Sequence, residues 1–273
     1  MNLVLVRNGI AEKASEIKGI LRRQDPFVIK KLNEQHDSKW RLTKRGVAQA
    51  KAAGEWLKAN FHDEFDVLMT GEYIRSLETA ALLNIPNARW VKSLYLRTRD
   101  SGSVDRILHP CTAEEHGNPS KAERKRRMVE EEKKRDKFYW TPPGGESLAH
   151  LALRTERVLH WIRQHIHPSG SALIVTHKTV MESFRIDIER ISQLNYTEKN
   201  ENPHESMVLH YGSILQYTRR NPNTGEEVPS YRWVRVVTPW MPDKVNTKWH
   251  ALHTRHNGNS ELLAEVSDVP HLF

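Results

Sequence analysis

Four short apolar runs along the chain predict buried β-strands. They occupy residues 3–6, 65–70, 88–92 and 172–176. Each is an apolar run rather than a strict alternation of apolar and polar positions, as expected for a sheet that is covered on both faces. The pattern therefore predicts a sheet with other elements packed against each side.

Helical patterns lie between these runs. Residues 43–60 carry an apolar stripe at helical spacing, and Thr43 is suited to cap the N-terminus of that helix. Residues 75–83 and 147–165 have the same periodicity. Strands that alternate with helices predict an α/β fold, specifically a three-layer α/β/α arrangement with a mostly parallel central sheet.

The C-terminal part of the chain has a different character. Residues 212–219 and 231–238 resemble strands, and residues 221–225 between them are rich in turn formers. We expect a β-hairpin added to the sheet, followed by a tail that docks on the body, so that residues 212–273 complete a single domain of residues 1–273. The apolar anchors expected for the tail are Trp240, Trp249, Leu262 and Leu263.

Residues 120–137 are nearly all charged and carry helix-forming side chains. Glu130 with Lys134 and Glu131 with Arg135 are oppositely charged pairs one helical turn apart. The segment fits either a basic arm for RNA or an anionic site, or a solvated helix. No aromatic residue for base stacking interleaves the charges, which argues against nucleic acid as the partner.

The composition narrows the classes of protein further. Lys plus Arg is 42 against 34 for Asp plus Glu, and the formal charge of +8 favours anionic partners. Cys111 is the one cysteine, which excludes an internal disulfide framework and a multi-cysteine zinc site. No apolar run approaches the roughly 20 residues that cross a bilayer, and the apolar stretch after Met1 is too short for a signal peptide. We expect a cytoplasmic protein without a membrane partner, of unspecified oligomeric state.

Candidate chemistry lies directly after three of the predicted strands. Arg7, Asn8 and Gly9 follow the first, Arg75 follows the second at the start of a helix, and His177 follows the fourth. Open α/β sheets bind ligands at the carboxyl ends of their strands. Two guanidinium groups and an imidazole at that edge would form a cationic pocket suited to a phosphoryl group.

The same residues stand in motifs that resemble those of the histidine phosphatase superfamily, also called phosphoglycerate-mutase-like. That family opens on a strand followed by Arg-His-Gly, and its later landmarks also find counterparts in order. The matching segments are LVLVRNG at 3–9, LTKRGVAQA at 42–50, IRSLETA at 74–80, PGGES at 143–147 and IVTH at 174–177. The remainder resembles the C-terminal part of a bacterial subgroup of the family.

The resemblance implies phosphomonoester hydrolysis in two steps, without metal or cofactor. In the family a histidine attacks phosphorus, water then releases phosphate, and an acidic residue protonates the leaving oxygen. Arg7, Arg75 and His177 match the residues that hold the phosphate oxygens. Positioning and positive potential supply most of the catalysis in such transfers. The implied substrate is a small phosphorylated metabolite or nucleotide.

Asn8 departs from the family at the nucleophile position. An amide is a poor nucleophile and cannot hold a phosphoryl group, so the chain is expected to be inactive or nearly so. Either a native histidine was replaced at this position, or the natural protein is a pseudoenzyme that binds a phosphorylated ligand. The remaining landmarks are intact, His177 included, which favours a replacement.

The identity of the acid is open. Alignment on Gly102 leaves Thr98 or Asp100 at the family's position, and only Asp100 is a carboxylic acid, although it equally fits a salt bridge to a neighbouring arginine. Glu146 is a second candidate for an acid or substrate contact, and its place at a helix start equally suits capping. Lys178 either adds charge to the pocket or is solvated.

Substrate specificity is expected from an insertion at residues 97–141 that lies over the pocket as a lid. The aromatic residues 138–140 either stack on a base or sugar or anchor the insertion to the core. The nearby His160, His165 and His167 do not share a helix face, so no metal site is predicted.

Overall fold

A computed structural model describes residues 1–13, 34–61, 65–102, 119–193, 196, 204–245, 247–253, 256–267 and 269–270. Seven strands form one sheet in these ranges. They are β1 (Asn2–Arg7), β2 (Val67–Thr70), β3 (Trp90–Lys92), β4 (Ser171–Thr176), β5 (Ile214–Thr218), β6 (Trp233–Val237) and β7 (His250–Ala251). The helices are α1 (Lys44–Phe61), α2 (Ile74–Leu82), α3 (Pro119–Arg135), α4 (Leu148–His165), α5 (Lys178–Glu189) and α6 (Asn259–Ser267).

The sheet has the order β3-β2-β4-β1-β5-β6-β7. The first four of these strands are parallel, and β5, β6 and β7 continue the sheet in antiparallel fashion. Arg7 at the end of β1 pairs in register with Thr176 at the end of β4. The carboxyl ends of β1, β4 and β2 therefore meet at one edge, as predicted from the sequence.

Helices cover both faces of the sheet because alternate residues of its central strands point to opposite sides. Leu5 and Ile174 face a core formed with α4 and α5, whereas Val4 and Leu173 face a core formed with α1 and α2. The predicted three-layer α/β/α fold with a mostly parallel centre is confirmed. The antiparallel β5–β6 hairpin is also confirmed, although its strands are shorter than predicted and β7 was not anticipated.

Two helix starts show why the chain folds as it does here. The Thr43 hydroxyl accepts a hydrogen bond from the Gly46 N–H at 3.0 Å, which confirms the predicted cap of α1. Ser147 caps α4 by accepting from the His150 N–H at 3.0 Å. The capping role considered for Glu146 therefore belongs to its neighbour Ser147.

The charged segment folds into α3, whose described side chains are exposed apart from Val129. This arrangement agrees with the solvated-helix alternative. Residues 103–118 of the insertion lie outside the described residues. Phe138 packs against the core and contacts the Tyr196 ring at 5.9 Å between centroids, so it anchors the end of the insertion.

The C-terminal tail docks only in part. Trp240 is half-buried and donates from Nε1 to the Tyr211 carbonyl at 2.6 Å, and Trp249 stacks near the Arg235 guanidinium. Leu262 and Leu263 on α6 are 48% and 69% exposed, so the prediction that they anchor the tail is wrong. No residue of this short helix is buried, so the helix contributes no apolar face that packs against the body of the protein.

Candidate active site

A cavity of about 250 Å³ opens at the carboxyl ends of β1 and β4. It brings together the strand-end residues that the sequence singled out, from positions far apart in the chain. The described lining residues carry four cationic side chains and one carboxylate. They are Arg7, Asn8, Ala11, Lys13, Asp37, Arg75, Thr98, His177, Lys178, Thr179 and Tyr211.

Arg7 is held by the loop that precedes β5. Its Nη1 donates to the Leu209 carbonyl at 2.6 Å, and its Cζ lies 3.7 Å from the centroid of the Tyr211 ring. Burial lowers the pKa of the Arg7 guanidinium, but arginine stays protonated throughout the physiological range. The site therefore contains a buried, permanently charged donor whose plane is set by an aromatic ring.

Asn8 is 4% exposed and lies in a tightly packed turn. Its N–H donates to the Thr176 carbonyl and its Nδ2 to the Gly9 carbonyl, each at 2.8 Å. A Cβ on Gly9 would lie 2.4 Å from the Gly46 carbonyl oxygen, so this turn lies directly against the first turn of α1. The position-8 side chain is thus placed by the packed turn and by the hydrogen bond of its own amide to the Gly9 carbonyl.

His177 directly follows β4, lines the cavity together with Asn8 and is 4% exposed. Its Nε2 lies 3.1 Å from the Ser76 hydroxyl, and the Tyr73 ring meets its ring edge-on. Burial lowers the pKa of His177 well below its ordinary value, and the charge of Arg75 lowers it further. The imidazole is therefore uncharged at pH 7, and it either donates a hydrogen bond to the Ser76 hydroxyl or accepts one from it.

Arg75 projects from the first turn of α2 and is bound by Asp37. Its Nη1 donates to the Asp37 carbonyl at 2.6 Å and its Nη2 to Asp37 Oδ2 at 2.9 Å. Lys13 reaches the other carboxylate oxygen, Oδ1, at 3.0 Å. Burial opposes ionisation of Asp37, but Arg75 and Lys13 hold the pKa of its carboxyl below the ordinary value. Sequence reasoning missed Asp37 because no motif or periodicity marks it.

Neither carboxylate proposed as the acid lines this cavity among the described residues. Asp100 is exposed, and its Oδ1 accepts from the Gly102 N–H at 2.8 Å in a local turn. Thr98, two residues earlier, lines the cavity instead. The loop has no regular secondary structure here, so alignment alone did not distinguish which of these two residues faces the cavity.

Glu146 has a structural environment. It accepts two hydrogen bonds from Arg154 and one from Arg97, all between 2.8 and 3.0 Å, and a fourth from the Asp100 N–H at 3.1 Å. Burial opposes its ionisation, but the Arg154 and Asp100 hydrogen bonds hold its pKa below the ordinary value. A carboxylate so engaged is ionised at neutral pH and does not serve as an acid.

Lys178 lines the cavity directly after His177. Its side chain is 48% exposed, and Nζ lies 3.3 Å from Glu182 Oε1. Both sequence-based alternatives thus hold in part, since the ammonium adds charge to the rim while remaining solvated.

Neither metal-ligand clusters nor membrane-spanning helices occur among the residues that the structure describes. There, no group of three or more His, Cys, Asp or Glu side chains is arranged to hold a metal ion. Within the same residues, no helix is both long and apolar enough to cross a membrane.

The fold and the cavity define an α/β protein with a cationic pocket at the carboxyl ends of its parallel strands. The chain belongs to the histidine phosphatase superfamily (branch 1), whose family model matches residues 27–213. That range contains the motifs around Arg75 and His177 and begins after Asn8. Members of this family are phosphatases or mutases.

Curated relatives agree with this assignment. A 2,3-bisphosphoglycerate-dependent phosphoglycerate mutase from Haemophilus ducreyi is 28% identical over 213 residues, 66% of this chain and 89% of that protein. Its counterpart from Actinobacillus pleuropneumoniae is 36% identical over 86 residues, 29% of this chain. The chain matches 37% of the length of this second relative.

Solved structures share the fold at low identity. A protein described as mycobacterial hydrolase 1 aligns with a TM-score of 0.56 and 18% identity, covering 86% of this chain and 96% of that one. A mycobacterial glucosyl-3-phosphoglycerate phosphatase in complex with inorganic phosphate aligns with a TM-score of 0.54 and 17% identity, covering 80% and 89%. At such identity the likeness concerns the fold alone.

Proposed function

We propose that this protein binds a small phosphorylated metabolite or nucleotide in the strand-end cavity and does not hydrolyse it through a phosphohistidine. The observation that carries the proposal is the convergence of Arg7, Arg75 and His177 on one cavity around Asn8. Guanidinium groups match the oxygens of a phosphate in geometry and charge. Lys178 adds positive charge at the rim.

The proposed lack of turnover follows from two positions. The Asn8 amide nitrogen shares its electron pair with its carbonyl, so it neither attacks phosphorus nor carries a phosphoryl group. Of the two residues that align with the family's acid, Thr98 lines the cavity and Asp100 does not, and a threonine hydroxyl does not protonate a leaving alkoxide efficiently. These two residues together support the ligand-binding alternative over an isolated replacement at position 8.

A second candidate function is phosphomonoester hydrolysis by the same scaffold with histidine at position 8. This candidate is favoured by His177, whose buried imidazole is neutral and lies within hydrogen-bond distance of the Ser76 hydroxyl. A pocket that only attracted solvated anions would not need a buried imidazole held in one orientation. In that form the imidazole at position 8 would take the phosphoryl group. Water would then release phosphate, with Arg7, Arg75 and His177 holding the oxygens.

The experiment compares Asn8→His with the native chain and with Asn8→Gln, a control of similar bulk without a nucleophile. Binding of inorganic phosphate is measured by calorimetry, and hydrolysis by phosphate release from p-nitrophenyl phosphate. We expect the native chain to bind phosphate without turnover, and Arg7→Gln to weaken binding by at least about tenfold. Folded native protein that does not bind phosphate would contradict the binding proposal.

The second candidate predicts that Asn8→His releases phosphate and forms an acid-labile phosphoprotein, whereas Asn8→Gln does neither. A folded Asn8→His variant that stays inactive would argue that Thr98 also prevents turnover. Asn8→His combined with Thr98→Glu then tests that explanation directly.

We also propose a class of partner, a cellular location and a specificity element for this protein. The small phosphorylated ligand is proposed as the main partner, and nucleic acid is not, since the charged helix α3 contributes no lining residue among those described. A cytoplasmic location is proposed from the single cysteine, because disulfide frameworks belong to oxidising compartments. Residues 97–141 are proposed as a specificity element, to which Thr98 is the described contributor.

A further inference from the structure

Asp37 engages one N–H on each terminal nitrogen of Arg75, inside the cavity where we propose that phosphate binds. Both terminal nitrogens of the Arg75 guanidinium are engaged, one by the Asp37 carbonyl and one by its carboxylate. Lys13 binds the second carboxylate oxygen. Asp37 is also the one carboxylate among the described lining residues of the cavity.

A carboxylate and a phosphate compete for the same partners. Each presents oxygens to the planar fork of an arginine and to a lysine ammonium. The side chain of Asp37 thus satisfies two of the cavity's four cationic groups, Arg75 and Lys13, from within the chain. A ligand phosphate that takes the same Nη2 N–H must replace Asp37 Oδ2, and one that takes the second N–H of Nη2 would lie beside the negative charge of Asp37.

The position of Arg75 does not depend on the carboxylate alone. Its Nη1 is held by the backbone carbonyl of Asp37, and its Cζ lies 4.8 Å from the centroid of the Tyr73 ring. Both contacts persist when the side chain of Asp37 loses its charge. Removal of the carboxylate therefore releases one donor of Arg75 while its guanidinium stays in the cavity.

We propose that Asp37 is an internal competitor that lowers the affinity of the cavity for phosphate, which displaces its carboxylate from Arg75 and Lys13. This inference rests on the proposed phosphate-binding function. It assigns Asp37 a role in setting affinity, as opposed to contacting or protonating the ligand. The pKa of Asp37 is held below its ordinary value, so the competing charge is present at neutral pH.

The test is the substitution Asp37→Asn, which keeps the shape and the backbone carbonyl but removes the charge. Calorimetric titration with inorganic phosphate at pH 7.5 and fixed ionic strength is expected to show roughly three- to fivefold tighter binding, the upper part of the range for loss of a partly exposed ion pair. Asp37→Ser, which also keeps the carbonyl, is expected to change affinity in the same direction and serves if Asp37→Asn does not fold.

Glu78→Gln is the matched control. Glu78 lies on the same helix as Arg75 and accepts from Arg41 Nη2 at 2.6 Å, outside the lining of the cavity. Glu78→Gln removes one negative charge, as Asp37→Asn does. A gain in phosphate affinity that occurs only in Asp37→Asn is therefore not a general effect of net charge. We expect phosphate affinity in Glu78→Gln to stay within about twofold of the native value, because charges beyond direct contact are screened.

The outcomes separate this inference from the function on which it rests. If Asp37→Asn binds phosphate equally or more weakly than a native chain that does bind it, Asp37 positions Arg75 and the competitor role is overturned. If Glu78→Gln gains as much affinity as Asp37→Asn, the competitor role is also overturned. If no folded variant binds phosphate, the proposed function itself fails, and this inference with it.

Discussion

The Arg7 guanidinium stacks over the Tyr211 ring, with 3.7 Å between Cζ and the ring centroid. This contact joins the end of β1 to the loop before β5, more than two hundred positions later in the chain. The loop is itself fixed from the C-terminal side, because Trp240 Nε1 donates to the Tyr211 carbonyl at 2.6 Å. The C-terminal hairpin region therefore helps to form the cavity.

Substitution of Tyr211 is expected to weaken anion binding through Arg7. Tyr211→Ala removes the ring and frees the guanidinium, and a cation–π contact of this kind is worth about 0.5–2 kcal/mol. We expect phosphate affinity to fall by roughly three- to thirtyfold in Tyr211→Ala and little in Tyr211→Phe, as measured by calorimetry. Leu153→Ala is the control, since Leu153 is 61% exposed and does not line the cavity. Equal affinities for Tyr211→Ala and the native chain would disprove this role.

Gly46→Ala is expected to destabilise the protein although alanine favours helices. A Cβ at this position would lie 2.3 Å from the Ile10 carbonyl oxygen, in the close contact between α1 and the turn after β1. Helix propensity alone predicts a gain of about 1 kcal/mol, whereas the steric clash predicts a loss of about 1–3 kcal/mol. Urea unfolding decides between them.

The control for that experiment is Lys51→Ala, an exposed position of the same helix. Its free energy of unfolding should stay within about 0.5 kcal/mol of the native value. A Gly46→Ala variant more stable than the native chain would show that the turn bearing Asn8 has room to move away from α1.

Asp187→Asn is expected to raise the melting temperature at neutral pH. Burial raises the pKa of Asp187 to about 6, against about 3.9 in an unfolded chain. The folded state therefore binds more protons between these values, and stability falls as pH rises from about 4 to 6. The amide avoids that loss and still accepts the 2.8 Å hydrogen bond from the Thr155 hydroxyl.

Calorimetric melting at several pH values checks this prediction. The difference between Asp187→Asn and the native chain should be largest above pH 7 and should vanish towards pH 4. Glu72→Gln, at an exposed position, is the control for the loss of one charge. A difference that does not change with pH would mean that Asp187 acts by packing and not by ionisation.

Local patterns predicted the framework of the site because they follow from backbone geometry. The apolar runs of β1 and β4 have no polar face, and this alone required helices on both sides of the sheet. Arg7 and His177 followed those runs directly, so parallel pairing brought them to one edge. Thr43 was recognisable as a cap because its hydroxyl and the start of an amphipathic helix are adjacent in sequence.

The partners of these residues could not be predicted in the same way. Asp37 meets Arg75, and Ser76 meets His177, through contacts between separate elements that no periodicity reports. Thr98 and Asp100 are two residues apart in an irregular loop, where a small difference in backbone direction decides which one faces the cavity. The expected anchoring by Leu262 failed because an apolar residue in a tail does not specify a surface to pack against.

The sequence by itself determined that the chain forms a covered parallel sheet with a cationic edge and that asparagine stands at its centre. It did so because apolar runs, strand ends and family motifs are local properties. Only the tertiary structure decided that Thr98 and not Asp100 lines the cavity, that Glu146 is held by Arg154, and that Asp37 binds Arg75. Those outcomes depend on distances between side chains from separate segments, which are set when the layers pack and not before.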